Sequence, residues 1–307
     1  MAGHRNRFPH LTGAGQDAAC QYGAVGEDAT NPGQFIQRPP AHPEHDAVAR
    51  EVSGWFTASA PEIGYEVSEH WYGYHSDLGP GQARVILRVG EPGQVQAALA
   101  DAAAASGGGT LTIWVDDRKR AALLDGALRS AGCRPGEATT HLALVGPMTG
   151  RTDPGRLVVE SVDETGLPEW AAVKLQSFGD TESAPAPDRL AEEVAARRSE
   201  LALAECQLGL LGGERVAVLA YYCGHDQLVF NLGTRVPCRH RGIAQAMLAR
   251  WVDAGLAEGC RSLIINADDG GRPAALYRRL GFVDEIYWYR KYELGADTPV
   301  RSRPAAG

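Results

Sequence analysis

The sequence predicts an α+β protein made of two similar units in tandem, each a mixed, mostly antiparallel sheet with flanking helices. The chain has 307 residues, which suits two domains of about 150 residues each. Apolar residues recur with both the helical and the strand period in each half. Two segments of the first half also match two segments of the second half at one constant offset. These three observations favour one fold that occurs twice.

The composition argues against nucleic-acid binding, membrane association and a metal or disulfide scaffold. The formal net charge is -8, so the field of the whole molecule repels nucleic acids and anionic lipids. No window approaches the roughly 20 uncharged apolar residues of a membrane-spanning helix, and the N-terminal stretch lacks the apolar segment of a signal peptide. The six cysteines form no C-x-x-C pair, which fits neither a disulfide scaffold nor a zinc site. We therefore expect a cytoplasmic protein with reduced thiols, without a metal and without nucleic-acid or membrane partners.

Residues 1–46 are rich in Gly, Pro, His, Asn and Gln and poor in aliphatic residues, so they cannot bury enough surface to offset their ordering entropy. We expect a flexible arm there and a flexible tail over residues 296–307. The first unit, residues 47–147, shows a compact α+β pattern. Helices are predicted at 47–58, 94–105 and 120–130 and strands at 111–115 and 141–145, and residues 84–89 form an apolar run.

The second unit, residues 148–295, follows a segment dense in Pro and Gly that marks a boundary. Asp188 is predicted to cap one of its helices. Gly212 and Gly213 read as a two-residue hairpin turn within an antiparallel meander, and a later helix between two strands indicates a parallel crossover. Strands are predicted at 157–161, 205–211, 215–223, 228–234, 262–266 and 286–292, and helices at 169–177, 188–200, 242–258 and 273–280.

The internal match joins residues 93–99 to residues 242–248, and residues 131–133 to residues 280–282, at the same offset. Any two Ala-rich helices could produce the first match alone. The second match at an unchanged offset favours duplication.

Positive charge is concentrated between residues 235 and 250, where four arginines occur without an acidic residue. Within this stretch, the loop Arg239–Ala244 falls where a predicted strand ends and a helix begins. Backbone N–H groups at a helix N-terminus bind phosphate-like anions. Gly242 leaves room for a diphosphate, and Arg239 and Arg241 can add charge-assisted hydrogen bonds. The alternative is an ordinary solvated basic loop.

The sequence R-x-x-G-x-A after a strand, a strand ending in Asn266, and then A-L-Y-R-R-L-G-F over residues 275–282 together resemble the GNAT superfamily of acyl-CoA-dependent N-acyltransferases. The resemblance is specific over residues 228–292. It implies that acetyl-CoA is the co-substrate, that the basic loop holds its pyrophosphate, and that the preceding strand splays open to pair with pantetheine. It assigns the cofactor-binding residues as Thr234, Arg235, Val236, Arg239, His240, Arg241, Gly242, Ile243, Ala244, Asn266 and Tyr277.

The same resemblance supplies the expected catalytic residues. Asn266 and Tyr277 match residues beside the thioester in relatives, and Tyr277 would protonate the departing CoA thiolate. A Tyr hydroxyl, with a pKa near 10, suits a general acid. The alternative for Tyr277 is an aromatic side chain packed against the sheet.

The residue that removes the proton of the attacking amine is less evident. Many relatives carry a Glu on the strand before the loop, whereas Leu228–Thr234 offers only Asn231 and Thr234 itself as polar residues. Glu205 on the preceding strand, or His225 and Asp226 in the predicted turn, could act directly or through water. An amine that is already partly neutral needs no dedicated base.

The first unit lacks the residues that would match the predicted cofactor-binding loop and the predicted general acid. Gly90 and Pro92 stand at the aligned positions of the two loop arginines, and Leu128 stands at the position of Tyr277. We therefore expect a degenerate unit that supports, dimerises with, or roofs the acceptor site of the second unit. If the first unit dimerises, the protein is a homodimer.

The acceptor can be inferred only as a class. Residues 160–205 contain eleven acids against four bases, which favours a cationic acceptor, although solvated helix faces produce a similar excess. The leading hypothesis is an N-acetyltransferase that acts on a primary amine of a small or peptidyl acceptor. The alternatives are a non-catalytic acyl-CoA-binding or regulatory module, and a transferase for another acyl-CoA.

Overall fold

The computed structural model of this chain describes residues 65–68, 70–75, 82–107, 109–179, 183–201, 204–223 and 226–295. The predicted arm, the predicted helix at 47–58 and the predicted tail lie outside the described residues. In this part of the chain the fold is a mixed α+β fold, as predicted. None of the helices described is long and apolar enough to cross a membrane.

The first half of the described chain contains five strands and two α-helices. The helices predicted at 94–105 and 120–130 are present, as are strands at 84–89, 111–115 and 141–145, with bounds that differ by a few residues. The last of these strands is much longer than predicted, and β1 and β2 have no counterpart in the prediction. The elements are β1 Tyr65–Val67, β2 Trp71–His75, β3 Gln82–Leu87, α1 Val95–Ala105, β4 Thr110–Val115, α2 Arg118–Ser130 and β5 Arg134–Leu144.

The second half contains six strands and four α-helices among the described residues. A short 3-10 turn, Val236–Cys238, precedes the longest of these helices. The elements are β6 Leu157–Val162, α3 Leu167–Phe178, α4 Pro187–Glu200, β7 Ala204–Leu211, β8 Glu214–Tyr222, β9 Asp226–Thr234, α5 Ile243–Glu258, β10 Ser262–Asp268, α6 Arg272–Arg279 and β11 Phe282–Leu294.

The hairpin between β7 and β8 and the first turn of α4 both follow from local sequence. The hairpin between β7 and β8 turns at Gly212 and Gly213, which have φ angles of 62° and 86°, so the predicted glycine turn is confirmed. The prediction that Asp188 caps a helix is wrong, because α4 already begins at Pro187 and its N-cap is Ala186. Proline favours the first helical position, where its missing N–H would have had no partner within the helix.

The eleven strands of the described residues form one sheet, in the order β1-β2-β3-β4-β11-β5-β10-β9-β8-β7-β6. β7, β8 and β9 form the predicted antiparallel meander, and β6 pairs antiparallel with β7 beside it. β9 and β10 are parallel and are joined through α5, which confirms the predicted crossover. The sheet therefore passes from one half of the chain to the other without a break.

The centre of the sheet is built by an exchange of strands. β11, the last strand among the described residues, lies between β4 and β5 of the first half. β5, in turn, lies between β11 and β10 of the second half. Backbone hydrogen bonds thus cross the predicted boundary at residues 147 and 148 on both of these strands.

The elements of the two halves follow one another with the spacing that the internal match predicts. A glycine with positive φ stands two residues after the last residue of both α2 and α6, Gly132 at 88° and Gly281 at 105°, and a strand, β5 or β11, begins within two residues of it. These two glycines belong to the aligned segments 131–133 and 280–282. The origin of the two halves by duplication stays a prediction.

The two faces of the sheet carry different helices. We call one side the α5 face, because Leu219 and Ile265 pack there with Trp251 of α5. The opposite side is the α3 face, where Leu208 and Val218 pack with Trp170 of α3. α1 and α2 pack with the part of β11 that carries Trp288 and Tyr292.

A charged cluster ties the halves together outside the sheet. Arg118, the first residue of α2, contacts Asp269 at 2.5 Å and Glu285 at 2.6 Å. Its guanidinium carbon lies 4.8 Å from the centre of the Trp288 ring. Both carboxylates belong to the second half, so a helix of the first half is fixed against the loop after β10 and against β11.

Gly281 joins α6 to the exchanged strand β11, and we predict that Gly281→Ala destabilises the protein. Its φ of 105° is unfavourable for any other residue, and an added Cβ would lie 3.2 Å from Leu144 of β5. We expect a loss of about 1–3 kcal/mol in the free energy of unfolding, measured in urea. The control is Gly93→Ala, which meets no atom within 4 Å and should change stability by less than about 0.5 kcal/mol. Equal effects of the two variants would contradict this account.

Candidate functional site

The predicted basic loop lies where β9 ends and α5 begins. After Thr234 the chain forms the 3-10 turn and then reaches Gly242, which caps α5 with a φ of 75°. The first helical hydrogen bond runs from the Ala246 N–H to the Gly242 carbonyl, so the N–H groups of Ile243, Ala244 and Gln245 have no partner within the helix. The N-terminus of α5 therefore presents donors for an anion.

Gly242 is required here for two reasons. Its left-handed backbone disfavours other residues. An added Cβ would also lie 2.7 Å from Oγ1 of Thr152, the hydroxyl that donates a 2.8 Å hydrogen bond to the Gly242 carbonyl. His240 has a positive φ as well, 62°, so the loop turns sharply twice before the helix begins.

Three of the predicted arginines, two on the loop and one before it, are not equivalent. Arg239 is held in place, since Nη2 donates to the Ser177 carbonyl at 2.8 Å and Nε to the Thr234 carbonyl at 3.2 Å. Arg241, two residues further along the loop, is exposed to solvent. Arg235, in contrast, is paired with Glu214 at 2.6 Å, and its N–H donates to the Val216 carbonyl. The positive charge next to the α5 N-terminus therefore comes from Arg239 and Arg241.

β9 and β10 separate beside this loop and leave a wedge between them. Their parallel pairing runs from Ser262 opposite Asp226 to Ile265 opposite Val229 and then stops. β9 continues to Thr234 and β10 to Asp268. The wedge is thus bounded by residues 230–234 on one side and 266–268 on the other.

A β-bulge marks the start of the wedge. Ala220 of β8 lies opposite Asn231, whereas Tyr221 lies opposite Val229, so Phe230 is an extra residue on β9. A bulge bends its strand and increases the local twist, which turns β9 away from β10. In the second part of β9, Oγ1 of Thr234 is buried and has no hydrogen-bond partner among the described residues.

Asn266 and Tyr277 lie near the wedge, on different faces of the sheet. Tyr277 of α6 is buried in the same cluster as Ile265, on the α5 face. Asn266 follows Ile265 along β10, so its side chain points to the α3 face. Burial, with a further contribution from the Asp268 carboxylate, raises the pKa of the Tyr277 hydroxyl, so Tyr277 keeps its proton at neutral pH.

Known structures share this architecture over most of the chain. A GCN5-related N-acetyltransferase from Kribbella flavida matches with a TM-score of 0.57 at 17% identity, over 82% of this chain and 95% of that one. One from Sphaerobacter thermophilus matches with a TM-score of 0.54 at 18% identity, over 75% of this chain and 78% of that one. The chain has the fold of the GCN5-related N-acetyltransferases.

This acetyltransferase fold is also found in a protein with two such units. A tandem GNAT protein from the clavulanic acid biosynthesis pathway matches with a TM-score of 0.52 at 14% identity, over 79% of this chain and 88% of that one. No family model and no curated protein matches the sequence.

The candidate bases named from the sequence are not grouped at the wedge. Glu205 accepts hydrogen bonds from Tyr221, Ser161 and Gln207, each at 2.8 Å. It lies opposite Tyr221, which lies opposite Val229, so two strand spacings, about 10 Å, separate Glu205 from β9. Tyr221, whose pKa is raised by burial and by the Glu205 carboxylate, stands between them.

Asp226 begins β9 and is not in a turn as predicted. It is fully buried and paired with Arg261, so it is committed to this ion pair. His225 lies outside the described residues. The sequence also gave no reason to select Thr152, Ser177 or His141, which the structure places beside the loop or the wedge.

The matching place in the first half is built differently. β3 and β4 stay paired through Ile86 and Trp114, one residue before both strands end, so no wedge opens between them. Leu128, at the position of Tyr277, is fully buried. Among the described residues, the first half therefore lacks the wedge that forms the candidate site of the second half.

Proposed function

We propose that this chain is an acetyl-CoA-dependent N-acetyltransferase that acts on a primary amine of a small or peptidyl acceptor. The observation that carries the proposal is the wedge between β9 and β10, which opens next to an N-terminal helix end flanked by two arginines. The unpaired edge of β9 can hydrogen-bond an amide-containing chain such as pantetheine, and the α5 N-terminus suits a diphosphate. Thr234, Val236, His240, Ile243 and Ala244 supply backbone to this surface.

The residues of the chain would promote direct transfer in the following way. The amine nitrogen bonds to the thioester carbonyl carbon, and a backbone N–H of β9 stabilises the negative charge that develops on the carbonyl oxygen. The carbon–sulfur bond then breaks, and Tyr277 gives its proton to the sulfur. The nitrogen loses a proton to water or to a base, and Tyr277 regains one. The products are an amide and the free thiol of CoA.

The main rival is a non-catalytic acyl-CoA-binding or regulatory module. It is favoured by the position of Glu205, which can reach the wedge only through Tyr221 or water. Transfer from another acyl-CoA is a third reading of the same surface. For the acceptor, the acidic excess of residues 160–205 still supports a cation, although Glu193 and Glu164 are paired with basic residues, Lys174 and Arg198.

Calorimetry with acetyl-CoA, combined with a thiol-release assay, separates these readings. The assay panel contains spermidine, tyramine and a lysine-containing tripeptide, each with acetyl-CoA and with a longer acyl-CoA. Thiol release that depends on an amine supports the enzyme. Tight binding without release from any amine supports the module, and the absence of binding contradicts both.

Arg241→Ala should weaken acetyl-CoA binding about ten-fold, because it removes a charged donor next to the α5 N-terminus. Gly242→Ala should weaken it at least as much, since the new Cβ meets Thr152 and the backbone must leave its left-handed conformation. Calorimetry measures both. Arg129→Ala on α2 is the control for the change in net charge and should bind acetyl-CoA as the wild type does. Unchanged affinity in both loop variants would refute the proposed cofactor surface.

Tyr277→Phe should lower kcat about 10²- to 10⁴-fold while the affinity for acetyl-CoA changes little. The ring remains in the core, where it packs against Phe282, and only the proton donor is lost. Single-turnover measurements isolate the chemical step. A wild-type rate in this variant would show that Tyr277 serves only in packing.

The intact chain should bind one acetyl-CoA. The first half has no wedge between β3 and β4, and its loop carries Glu91 and Pro92 where the second half has His240 and Arg241. Calorimetric titration of the full chain gives the stoichiometry. Two sites of similar affinity would mean that the first half binds acetyl-CoA by a route that the loop comparison does not include.

A further inference from the structure

His141 is a buried polar residue that the proposed mechanism does not use. It lies on β5, is fully buried, and neither ring nitrogen has a hydrogen-bond partner among the described residues. A neutral imidazole carries one donor and one acceptor. Leaving both unpaired in the interior destabilises the folded state, and such groups in native proteins usually have a reason.

The strand exchange places His141 next to the wedge. β5 belongs to the first half, yet it pairs with β10 of the second half, where His141 lies directly opposite Asn266. Asn266 is the first residue of β10 after the last pair with β9. Directly opposed residues of antiparallel strands have side chains on the same face, with Cα atoms about 4.5–5.5 Å apart. His141 thus points to the α3 face, one strand away from the wedge.

The surroundings of His141 are aromatic. Its ring centre lies 5.4 Å from that of Tyr287 and 6.0 Å from that of Tyr289. Tyr289 stacks on Trp114 at 4.4 Å. Burial lowers the pKa of His141 to about 3, so the imidazole is neutral at physiological pH and can both donate and accept a hydrogen bond.

We propose that His141 is an acceptor-binding residue: its imidazole hydrogen-bonds a polar group of the amine that binds on the α3 face beside Asn266. The proposal rests on the proposed function, because it takes the wedge as the place of the thioester. It makes the first half part of the active site, through one side chain on the exchanged strand β5. In the free protein the unpaired nitrogens destabilise the fold, and one of them gains a hydrogen-bond partner when the acceptor binds.

Two substitutions separate this role from simple packing. His141→Leu fills a similar volume without polar atoms, and His141→Asn keeps a donor and an acceptor. We expect His141→Leu to raise the melting temperature by about 2–4 °C, since it removes unpaired polar atoms. The same variant should raise KM for the fastest amine of the panel about 3- to 10-fold, with the Kd for acetyl-CoA unchanged. His141→Asn should restore part of the lost KM.

Thr139→Val is the matched control, because Thr139 lies two residues earlier on the same strand and face and opposite Asp268. It should leave KM for the amine close to the wild-type value. An unchanged KM in His141→Leu overturns the proposal. A fall in melting temperature together with weaker acetyl-CoA binding also overturns it, since that result indicates a packing role.

A measurement without turnover keeps this test independent of the proposed function. Protein labelled with ¹⁵N-histidine is titrated with spermidine, tyramine and the tripeptide, with and without CoA, and the His141 ring signals are assigned with His141→Leu. A shift of these signals on addition of an amine supports the proposal, and no shift with any of the three overturns it. If the wild type binds no acetyl-CoA, the proposed function fails, while the shift still decides the role of His141.

Discussion

The pairing of β10 with β5 is the interaction on which the candidate site depends. β10 leaves β9 after Ile265, and a strand that lost its hydrogen bonds on one edge would need to be held on the other. β5 provides this support, because it stays paired with β10 as far as Asp268 opposite Thr139. The wedge can therefore open on one side of β10 without loosening the strand. A strand from the first half of the chain holds the candidate site of the second half in shape.

The difference between the halves follows from a few local features. β9 contains the bulge at Phe230 and turns away from its parallel neighbour, whereas β3 and β4 remain paired almost to their ends. The loop after β9 passes through left-handed residues to a helix with free N–H groups. The loop after β3 contains Pro92, which fixes φ and has no N–H. From β3 and from β9 onwards the two halves have the same order of elements, yet only the second has the feature that suits an acyl-CoA.

The sequence was sufficient for most elements because their signals are local. Apolar periodicity located most of the described helices and strands but not β1 and β2, and Gly212 with Gly213 located the hairpin. α3 and α4 begin before their predicted bounds, at Leu167 and Pro187, because proline favours the first turn of a helix and Pro168 and Pro187 lie inside these turns. β5 was expected only from His141 onwards. Its first residues, Arg134–Thr140, include few apolar side chains, so they lack the alternation that identifies a strand.

The candidate site was predicted in part, for a physical reason. The loop from Arg239 to Ala244 is a contiguous motif whose geometry follows from a strand and a helix that meet. The wedge, the engagement of Arg235 with Glu214 and the position of His141 depend on pairs of residues that are distant in sequence. No local pattern shows that β5 will lie beside β10, because pairing is decided by the whole sheet. Asn266 and Tyr277 could have been assigned to opposite faces from strand alternation and the apolar face of α6.

The position of β11 has a consequence for how the protein is made. Leu111 of β4 pairs with Leu294 of β11, near the end of the described chain. The sheet of the first half therefore cannot be completed until β11, which is synthesised after the other described strands, has left the ribosome. Contacts between such distant residues slow folding, since the intervening loop must close first. Until β11 arrives, β4 and β5 expose unpaired edges that can join another chain. Synthesis of β11 is therefore the event that completes the described sheet of both halves at once.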